Sequence, residues 1–198
     1  MHDHSHKFDP ANAARLDDPR RDEFMPRPRL VAALPLSSGE RVADIGCGSG
    51  FWLRALLDAS PAGVRFFGVD TSQTMLDMLA TRLEQHPRRG DVSGVLSTEG
   101  AVPLPDAGAD VVVMGSVYHE LADRKAFLAE LRRLLAPGGR LAIVDWDVLP
   151  DEAERTMGPP SDHRVAAATA EAELVEAGFC EPERVEGFRE SWCLIARR

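Results

Sequence analysis

Two acidic residues stand where a ligand with a cationic group would need them. Asp44 is followed by three glycines at alternate positions, Gly46, Gly48 and Gly50, and Asp70 lies 20 residues after the last glycine. Glycines at this spacing let the backbone turn sharply and approach a ligand closely. A carboxylate beside such a turn favours a cationic ligand, and Asp70 is placed to accept hydrogen bonds from the two hydroxyls of a ribose.

The glycine pattern differs from the fingerprint of dinucleotide-binding proteins. That fingerprint reads G-x-G-x-x-G, whereas here the third glycine comes one residue early and Phe51 occupies the expected place. The Asp44 carboxylate also repels a pyrophosphate, because the two carry like charge. S-adenosylmethionine suits this acid better, since its amino group and its sulfonium are both cationic. Asp70 alone fits NAD equally well, so a nicotinamide-dependent oxidoreductase is the alternative.

Further candidates for chemistry follow the fourth and fifth predicted strands. His119 is a candidate general base, since an imidazole ionises near neutral pH, and Tyr118 beside it is a candidate substrate contact. Asp145 is predicted to orient the substrate or the base, and Trp146 to stack on a flat or cationic substrate. Arg164, in a later loop, is predicted to bind an anionic group. The alternatives are a helix cap or a bond to Glu120 for His119, a core or lid position for Trp146 and a solvated loop position for Arg164.

Hydrophobic and helical periodicity locates the elements that must position these residues. Apolar runs predict strands over 41–45, 64–69, 92–96, 109–114 and 140–146, then an antiparallel pair over 179–185 and 191–196. Helical spacing predicts helices over 11–16, 30–34, 51–59, 73–85, 124–135 and 166–177. Strands alternating with helices indicate an α/β doubly wound Rossmann-like sandwich, with a seven-stranded, mostly parallel sheet and an antiparallel C-terminal strand. The polar segment 1–36 is predicted to be an N-terminal lid or tail, and 37–198 the ligand-binding domain.

Composition narrows the class of partner. With 23 Lys and Arg against 32 Asp and Glu, the chain has a net charge of −9, which disfavours a nucleic-acid partner. It contains no apolar run of membrane-spanning length and no close pair of cysteines, so a cytoplasmic location without a membrane partner or a zinc site is expected. His2, His4 and His6 alternate in the polar tail, but no metal site is predicted there.

Four segments of the chain resemble the class I S-adenosylmethionine-dependent methyltransferases. They are 42–51, 67–76, 103–114 and 134–141. Shorter segments at 6–10, 16–19, 119–121, 145–146 and 158–160 are similar to a bacterial and archaeal subgroup of small methyltransferases, loosely akin to the ubiquinone/menaquinone-biosynthesis type. The resemblance implies the activity of a methyltransferase that acts on an unidentified small molecule, as a monomer or homodimer. It also implies S-adenosylhomocysteine as the product of the cofactor.

The resemblance implies roles for the residues that match. The three glycines would pass under the amino-acid part of S-adenosylmethionine, Asp44 would hold its ammonium directly or through water, and Asp70 would hold its ribose. The residues implied beside the adenine are Thr71, Met75, Thr98 and Glu99. Those implied under the methionine part are Ser116 and Val117. A cofactor-binding protein without turnover and a protein methyltransferase are the remaining alternatives, because a fold does not guarantee an activity.

Overall fold

The computed structural model describes residues 18–198, and its central feature is a seven-stranded β-sheet. The strands are β1 (Arg41–Ile45), β2 (Arg65–Asp70), β3 (Val92–Leu96), β4 (Ala109–Gly115), β5 (Leu135–Trp146), β6 (Cys180–Arg184) and β7 (Ser191–Arg197). Their order across the sheet is β3-β2-β1-β4-β5-β7-β6, and β7 runs antiparallel to both of its neighbours. This topology confirms the predicted fold class.

Helices cover both faces of the sheet. They are α1 (Arg21–Phe24), α2 (Arg27–Ala33), α3 (Phe51–Ala59), α4 (Gln73–Arg82), α5 (Arg124–Leu134) and α6 (Ala167–Glu176). Apolar side chains of α2, α3 and α4 form one buried cluster, and those of α5 and α6 form a second. Because side chains alternate along a strand, Val113 of β4 joins the first cluster and Met114 joins the second.

The segment before β1 packs into the first cluster. Phe24, Met25, Leu30 and Leu34 are at most 2% exposed and lie among the buried side chains of α3 and β5. Residues 18–36 therefore contribute to the core, and the predicted division of the chain at residue 36 stays a prediction. The helix predicted over 11–16 lies outside the described residues.

Three predicted element boundaries are wrong by three or more residues, and helix α1 was not predicted. Helix α2 begins three residues early, at Arg27. Helix α4 ends three residues early, at Arg82, and residues 83–85 form a turn ahead of Pro87. Strand β5 begins five residues early, because Leu135 already pairs with β4 before the ladder shifts and resumes at Arg140. None of these differences moves a predicted site residue away from the end of its strand.

The strand order creates a crevice at the carboxyl ends of β1 and β4. The chain leaves β1 towards β2 on one side, whereas β4 lies on the other side of β1. Ligands of open α/β sheets bind at such a reversal of strand order. The glycines follow β1, Asp70 ends β2, and His119 and Asp145 belong to the ends of β4 and β5, so the topology places them along one edge of the sheet.

Candidate functional site

The loop between β1 and α3 depends on its glycines. The φ angles of Gly46, Gly48 and Gly50 are +65°, +50° and +89°, a region that residues with a Cβ rarely adopt. A Cβ built on Gly46 would lie 2.3 Å from Cγ2 of Val117, which follows β4. The loop therefore lies directly against the end of β4, and a side chain at Gly46 would separate them.

The carboxylate of Asp70 ties the end of β2 to this loop. Its Oδ2 accepts a hydrogen bond of 2.8 Å from the Gly48 amide, and its Oδ1 accepts one of 2.9 Å from the Ser72 amide. The side chain is half-buried. Each carboxylate oxygen keeps a free lone pair beyond these bonds, so both can also accept hydrogen bonds from ribose hydroxyls.

Asp44 lies beneath the loop and is 1% exposed. Its Oδ2 accepts a hydrogen bond of 3.1 Å from the Leu53 amide in the first turn of α3, and its Oδ1 has no partner among residues 18–198. Burial raises the pKa of Asp44 to about 8, and the nearby Asp70 charge adds to the rise. A cationic group beside Asp44 would favour its ionised form.

Two other buried polar atoms beside the loop are without a partner in the described part of the chain. They are Ser49 Oγ and Trp52 Nε1. A Cβ on Gly115 would lie 1.9 Å from that indole nitrogen, so the end of β4 packs against the first turn of α3. Buried polar atoms normally find a partner in protein, water or ligand. Together with Asp44 Oδ1, these atoms fit the polar, cationic end of S-adenosylmethionine.

The residues predicted beside the adenine lie past the ends of β2 and β3. The Ser97 amide donates a 2.9 Å hydrogen bond to the Asp70 carbonyl, which places the segment after β3 next to Asp70. Met75 is buried in the first turns of α4, and Thr98 is held by a 3.2 Å hydrogen bond from its amide to the Ala101 carbonyl. The remaining two residues of this set, Thr71 and Glu99, are exposed.

The end of β4 brings in a residue from the N-terminal segment. Ser116 has a φ of +59°, and its amide donates a 2.8 Å hydrogen bond to the Val144 carbonyl of β5. Arg21 Nη2 lies 3.4 Å from Ser116 Oγ, and its guanidinium carbon lies 4.1 Å from the ring centroid of Phe51. Sequence reasoning missed Arg21, because no local pattern distinguishes it from the arginines around it.

His119 and Asp145 form a hydrogen-bonded pair. His119 Nδ1 lies 2.7 Å from Asp145 Oδ1, and the His119 amide donates a 3.1 Å hydrogen bond to Oδ2. Asp145 is fully buried and also accepts a hydrogen bond from the Trp146 amide. A carboxylate only accepts, so neutral His119 carries its proton on Nδ1 and has its lone pair on Nε2. Burial is the strongest single influence and lowers the pKa of His119, but the charge and hydrogen bond of Asp145 and the charge of Glu120 together outweigh it, so the pKa is raised.

Tyr118 lies apart from this pair. Its side chain is fully buried in the cluster that includes α5 and α6, and its hydroxyl bonds to Glu173. Burial raises the pKa of Tyr118 further above its usual range. Arg124 completes the cluster through a 2.8 Å ion pair with Glu173. These contacts fix the 3₁₀ turn Tyr118–Glu120 that carries His119, and a substrate contact for Tyr118 stays a prediction.

Trp146 and Arg164 are packed together inside the protein. Trp146 is 5% exposed, and the Arg164 guanidinium carbon lies 5.3 Å from its ring centroid. Arg164 is 6% exposed, which excludes the solvated loop position. Its guanidinium donates to main-chain carbonyls of Asp147, Met157, Pro159 and Glu190. Arg164 thus holds the loop after β5 in place, and its predicted bond to a substrate anion stays a prediction.

Residues 18–198 contain neither a metal-binding cluster nor a membrane-spanning helix. No group of three or more His, Cys, Asp or Glu side chains in this range is arranged to hold a metal ion. None of the helices in the same range is long and apolar enough to cross a membrane. His2, His4 and His6 lie outside the described residues.

Comparison with known proteins identifies the family to which this chain is related. A family model described as a methyltransferase domain matches residues 43–143. The chain is 33% identical to the 27-O-demethylrifamycin SV methyltransferase of Amycolatopsis mediterranei, over 86% of this chain and 66% of that protein. It is 29% identical to the trans-aconitate 2-methyltransferase of Paracidovorax citrulli, over 96% of this chain and 68% of that protein. The chain thus spans about two thirds of the length of these two curated relatives.

A solved structure matches over nearly the whole chain. The S-adenosylmethionine-dependent methyltransferase from Aquifex aeolicus superposes with a TM-score of 0.84 at 28% identity, over 96% of this chain and 99% of that one. The fold and the cofactor class are therefore those of S-adenosylmethionine-dependent methyltransferases. The match argues against the nicotinamide-dependent oxidoreductase that the Asp70 position alone had left open.

Proposed function

This chain belongs to the methyltransferase domain family, and on that premise we propose that it transfers the methyl group of S-adenosylmethionine to a small-molecule acceptor. The observation that carries the proposal is the convergence of Asp44 and Asp70 on one glycine loop at the end of the sheet. The two curated relatives, a rifamycin methyltransferase and an aconitate methyltransferase, support a small acceptor.

The protein groups would hold the cofactor through charge and hydrogen bonding. Asp70 accepts hydrogen bonds from the ribose, and Asp44 favours the ammonium from beneath the loop. Met75 and Thr98 would border the adenine, and Val117 would lie under the methionine part. When bound, S-adenosylmethionine supplies a methyl group on a sulfonium, whose carbon–sulfur bond breaks as the acceptor attacks and leaves the electron pair on sulfur.

The His119–Asp145 pair favours an acceptor that loses a proton during transfer. His119 Nε2 takes the proton from the attacking hydroxyl as its oxygen forms the bond to carbon. Asp145 holds the imidazole in the required tautomer and stabilises the imidazolium that forms. We therefore place the acceptor among oxygen nucleophiles such as phenols, enols or acidic alcohols. Alignment of that oxygen with the methyl group is the other contribution of the site.

Cofactor binding is the first test. Calorimetry with S-adenosylhomocysteine and with NADH should show binding of the first and none of the second. Asp70→Asn should weaken S-adenosylhomocysteine by about 10- to 100-fold, because a charge-assisted hydrogen bond to the ribose is lost. Asp106→Asn is the control, since that side chain is 83% exposed and lies at the surface. Tight NADH binding without a response to S-adenosylhomocysteine would reject the proposal.

Turnover is tested by product formation. A panel of phenols, enols and hydroxy acids, incubated with S-adenosylmethionine, should yield S-adenosylhomocysteine with at least one member. A protein that binds the cofactor but methylates no member of the small-molecule panel would favour the non-catalytic or protein-directed alternative. We also propose a cytoplasmic monomer or homodimer without a nucleic-acid partner. The acidic composition supports the last of these points, because a net charge of −9 repels a phosphate backbone.

A further inference from the structure

The two edges of the β-sheet, β3 and β6, differ in how they are protected. An edge strand exposes N–H and C=O groups that can pair with another chain, and proteins usually block such pairing with charges, proline or a bulge. Strand β6 has all three, since it contains Pro182 and charged side chains, and its register with β7 shifts between Cys180 and Glu183. The sequence of β3, VSGVL, has no charge and no proline, and its register with β2 is regular. The β3 edge is therefore built for pairing and the β6 edge against it.

The backbone of β3 turns its outer groups away from the sheet at Gly94 and Leu96. The Ser97 amide donates a 2.9 Å hydrogen bond to the Asp70 carbonyl, so Ser97 faces β2. Because the N–H and C=O groups of successive residues alternate in direction along a strand, those of Gly94 and Leu96 point away from β2. No other strand of residues 18–198 pairs with β3. These outward groups are the donors and acceptors that a further strand would use.

An exposed leucine and an apolar groove lie on one face of this edge. Leu96 is 51% exposed. A Cβ on Gly94 would lie 3.8 Å from the Leu76 side chain of α4, so Gly94 faces that helix, and Leu96 shares its face because side chains alternate along the strand. The groove between α4 and β3 is lined by apolar side chains that include Leu76, Leu79, Leu83 and Val92.

We propose that two copies of this chain pair antiparallel along β3, with the two-fold axis at Gly94. In this register the amide and carbonyl of Gly94 bond to those of Gly94 of the second copy. Leu96 lies directly across from Val92 of the second copy, on the face that carries the groove. Beyond the strand, the exposed Arg89 lies across from the exposed Glu99 of the second copy, so opposite charges meet at both ends of the interface.

A second copy suits this edge because the edge is complementary to itself. A two-fold interface uses the same surface on both subunits, so each feature must meet its counterpart on an identical chain. The β3 edge provides both members of each pair: the leucine and the groove, the arginine and the glutamate. Pairing then continues the sheet of one copy into that of the other.

Sedimentation tests the dimer at about 1 to 200 µM protein in about 0.15 M salt, which screens the repulsion between two acidic copies. Wild type should form dimers in this range. Leu96→Lys should weaken the dimer at least about 10-fold, because pairing would bury an ammonium against an apolar groove. Val175→Lys is the matched control, since Val175 of α6 is 58% exposed on another surface and should leave the dimer unchanged. Circular dichroism confirms that each variant is folded.

A cysteine cross-link tests the register. It uses a Cys180→Ser background, because Cys180 is an exposed thiol. Gly94→Cys should form a disulfide between copies on mild oxidation, since the Cα atoms of a directly opposed, hydrogen-bonded pair are about 5.5 Å apart. Ser93→Cys is the control, because position 93 lies across from Val95 of the second copy and not from itself. Its yield of cross-linked dimer should be several-fold lower.

The outcomes that overturn the proposal do not involve methyl transfer. A wild type that sediments as a monomer throughout the range is one, even if another protein binds β3. A dimer that is as stable in Leu96→Lys as in wild type is a second, because it must use a different surface. Equal cross-linking of Gly94→Cys and Ser93→Cys would exclude the pairing centred on Gly94.

Discussion

The two sides of the crevice are built by different means. On the β1–β2 side, the shape comes from the backbone of one loop, with glycines at positive φ and amides that donate to the Asp70 carboxylate. On the β4–β5 side, the shape comes from side chains that meet over long sequence separations. His119 bonds to Asp145. The Arg164 guanidinium donates hydrogen bonds to the main-chain carbonyls of Asp147 and Glu190, which lie in the loop after β5 and the loop before β7.

This difference matches what each side must recognise. The cofactor is the same molecule in every reaction of this class, and the glycine loop and the Asp70 carboxylate that would hold it follow two neighbouring strands, β1 and β2. The acceptor side depends on contacts that can change one residue at a time without disturbing the loop. We therefore expect substitutions on the β1–β2 side to alter cofactor affinity, and those on the β4–β5 side to alter the rate of transfer.

The largest expected effect is on the rate, from Asp145→Asn. Loss of the negative charge lowers the pKa of His119 and removes the acceptor that fixes its tautomer. The transfer rate should fall by about 10²- to 10⁴-fold, while the affinity for S-adenosylhomocysteine changes by less than about twofold. Single-turnover rates and an NMR titration of the His119 ring check both parts. In wild type, the rate should fall as the pH is lowered through the raised pKa, because imidazolium cannot accept a proton.

Asp162→Asn serves as the comparison for that substitution, since Asp162 is exposed on the loop after β5. A rate that survives Asp145→Asn, with the His119 pKa lowered as expected, would exclude His119 as the base. It would also remove the contrast between the two sides of the crevice.

An intermediate effect is expected from Gly46→Ala. The new methyl group would lie 2.3 Å from Val117 Cγ2. In addition, alanine would have to adopt the φ of +65° at this position, which strains a residue with a Cβ. Affinity for S-adenosylhomocysteine should fall by about 100-fold as the loop moves from the end of β4. Gly90→Ala is the matched control, because a Cβ there meets nothing within 4 Å. Equal affinities for the two variants, measured by calorimetry, would contradict the close packing of the loop.

The smallest effect concerns a proton on Asp44. Its pKa is about 8 in the folded protein against 3.8 ordinarily, so the folded chain holds a proton that the unfolded chain has lost. Stability should therefore fall as the pH rises from about 4 to about 8. Binding of the cofactor ammonium favours the ionised acid and should release up to about one proton near pH 7.

Calorimetry in two buffers of different ionisation enthalpy measures that proton release. Asp44→Asn should abolish the release and stabilise the ligand-free protein at pH 7, because folding then no longer requires the uptake of a proton. Thermal unfolding reports the second effect. Binding without proton release, or a destabilised Asp44→Asn variant, would show that Asp44 is already ionised before the ligand binds.

Much of the fold followed from local patterns. Apolar strand runs and helical spacing located the seven strands and five of the six α-helices of residues 18–198. Helix α1 was missed, and one end each of α2, α4 and β5 was wrong by three or five residues. The spacing of Asp44, the glycines and Asp70 indicated the cofactor, because one short stretch of backbone contains most of the β1–β2 side of the crevice. The predicted His119–Asp145 proximity also followed, since both residues end neighbouring strands.

The sequence by itself determined the strand–helix alternation, the glycine loop and the identity of its acids, because each depends on residues close together in the chain. Only the tertiary structure decided that Arg21 turns inward to Ser116, that Arg164 is buried and that Tyr118 packs on Glu173. The contact between Arg21 and Ser116 joins residues 95 positions apart, and that between Tyr118 and Glu173 joins residues 55 apart. Arg164 bonds to carbonyls that lie 5 to 26 positions away, in two different loops. The physical reason is that a guanidinium or a phenol has no local signature of burial; its partners are set by how distant elements pack.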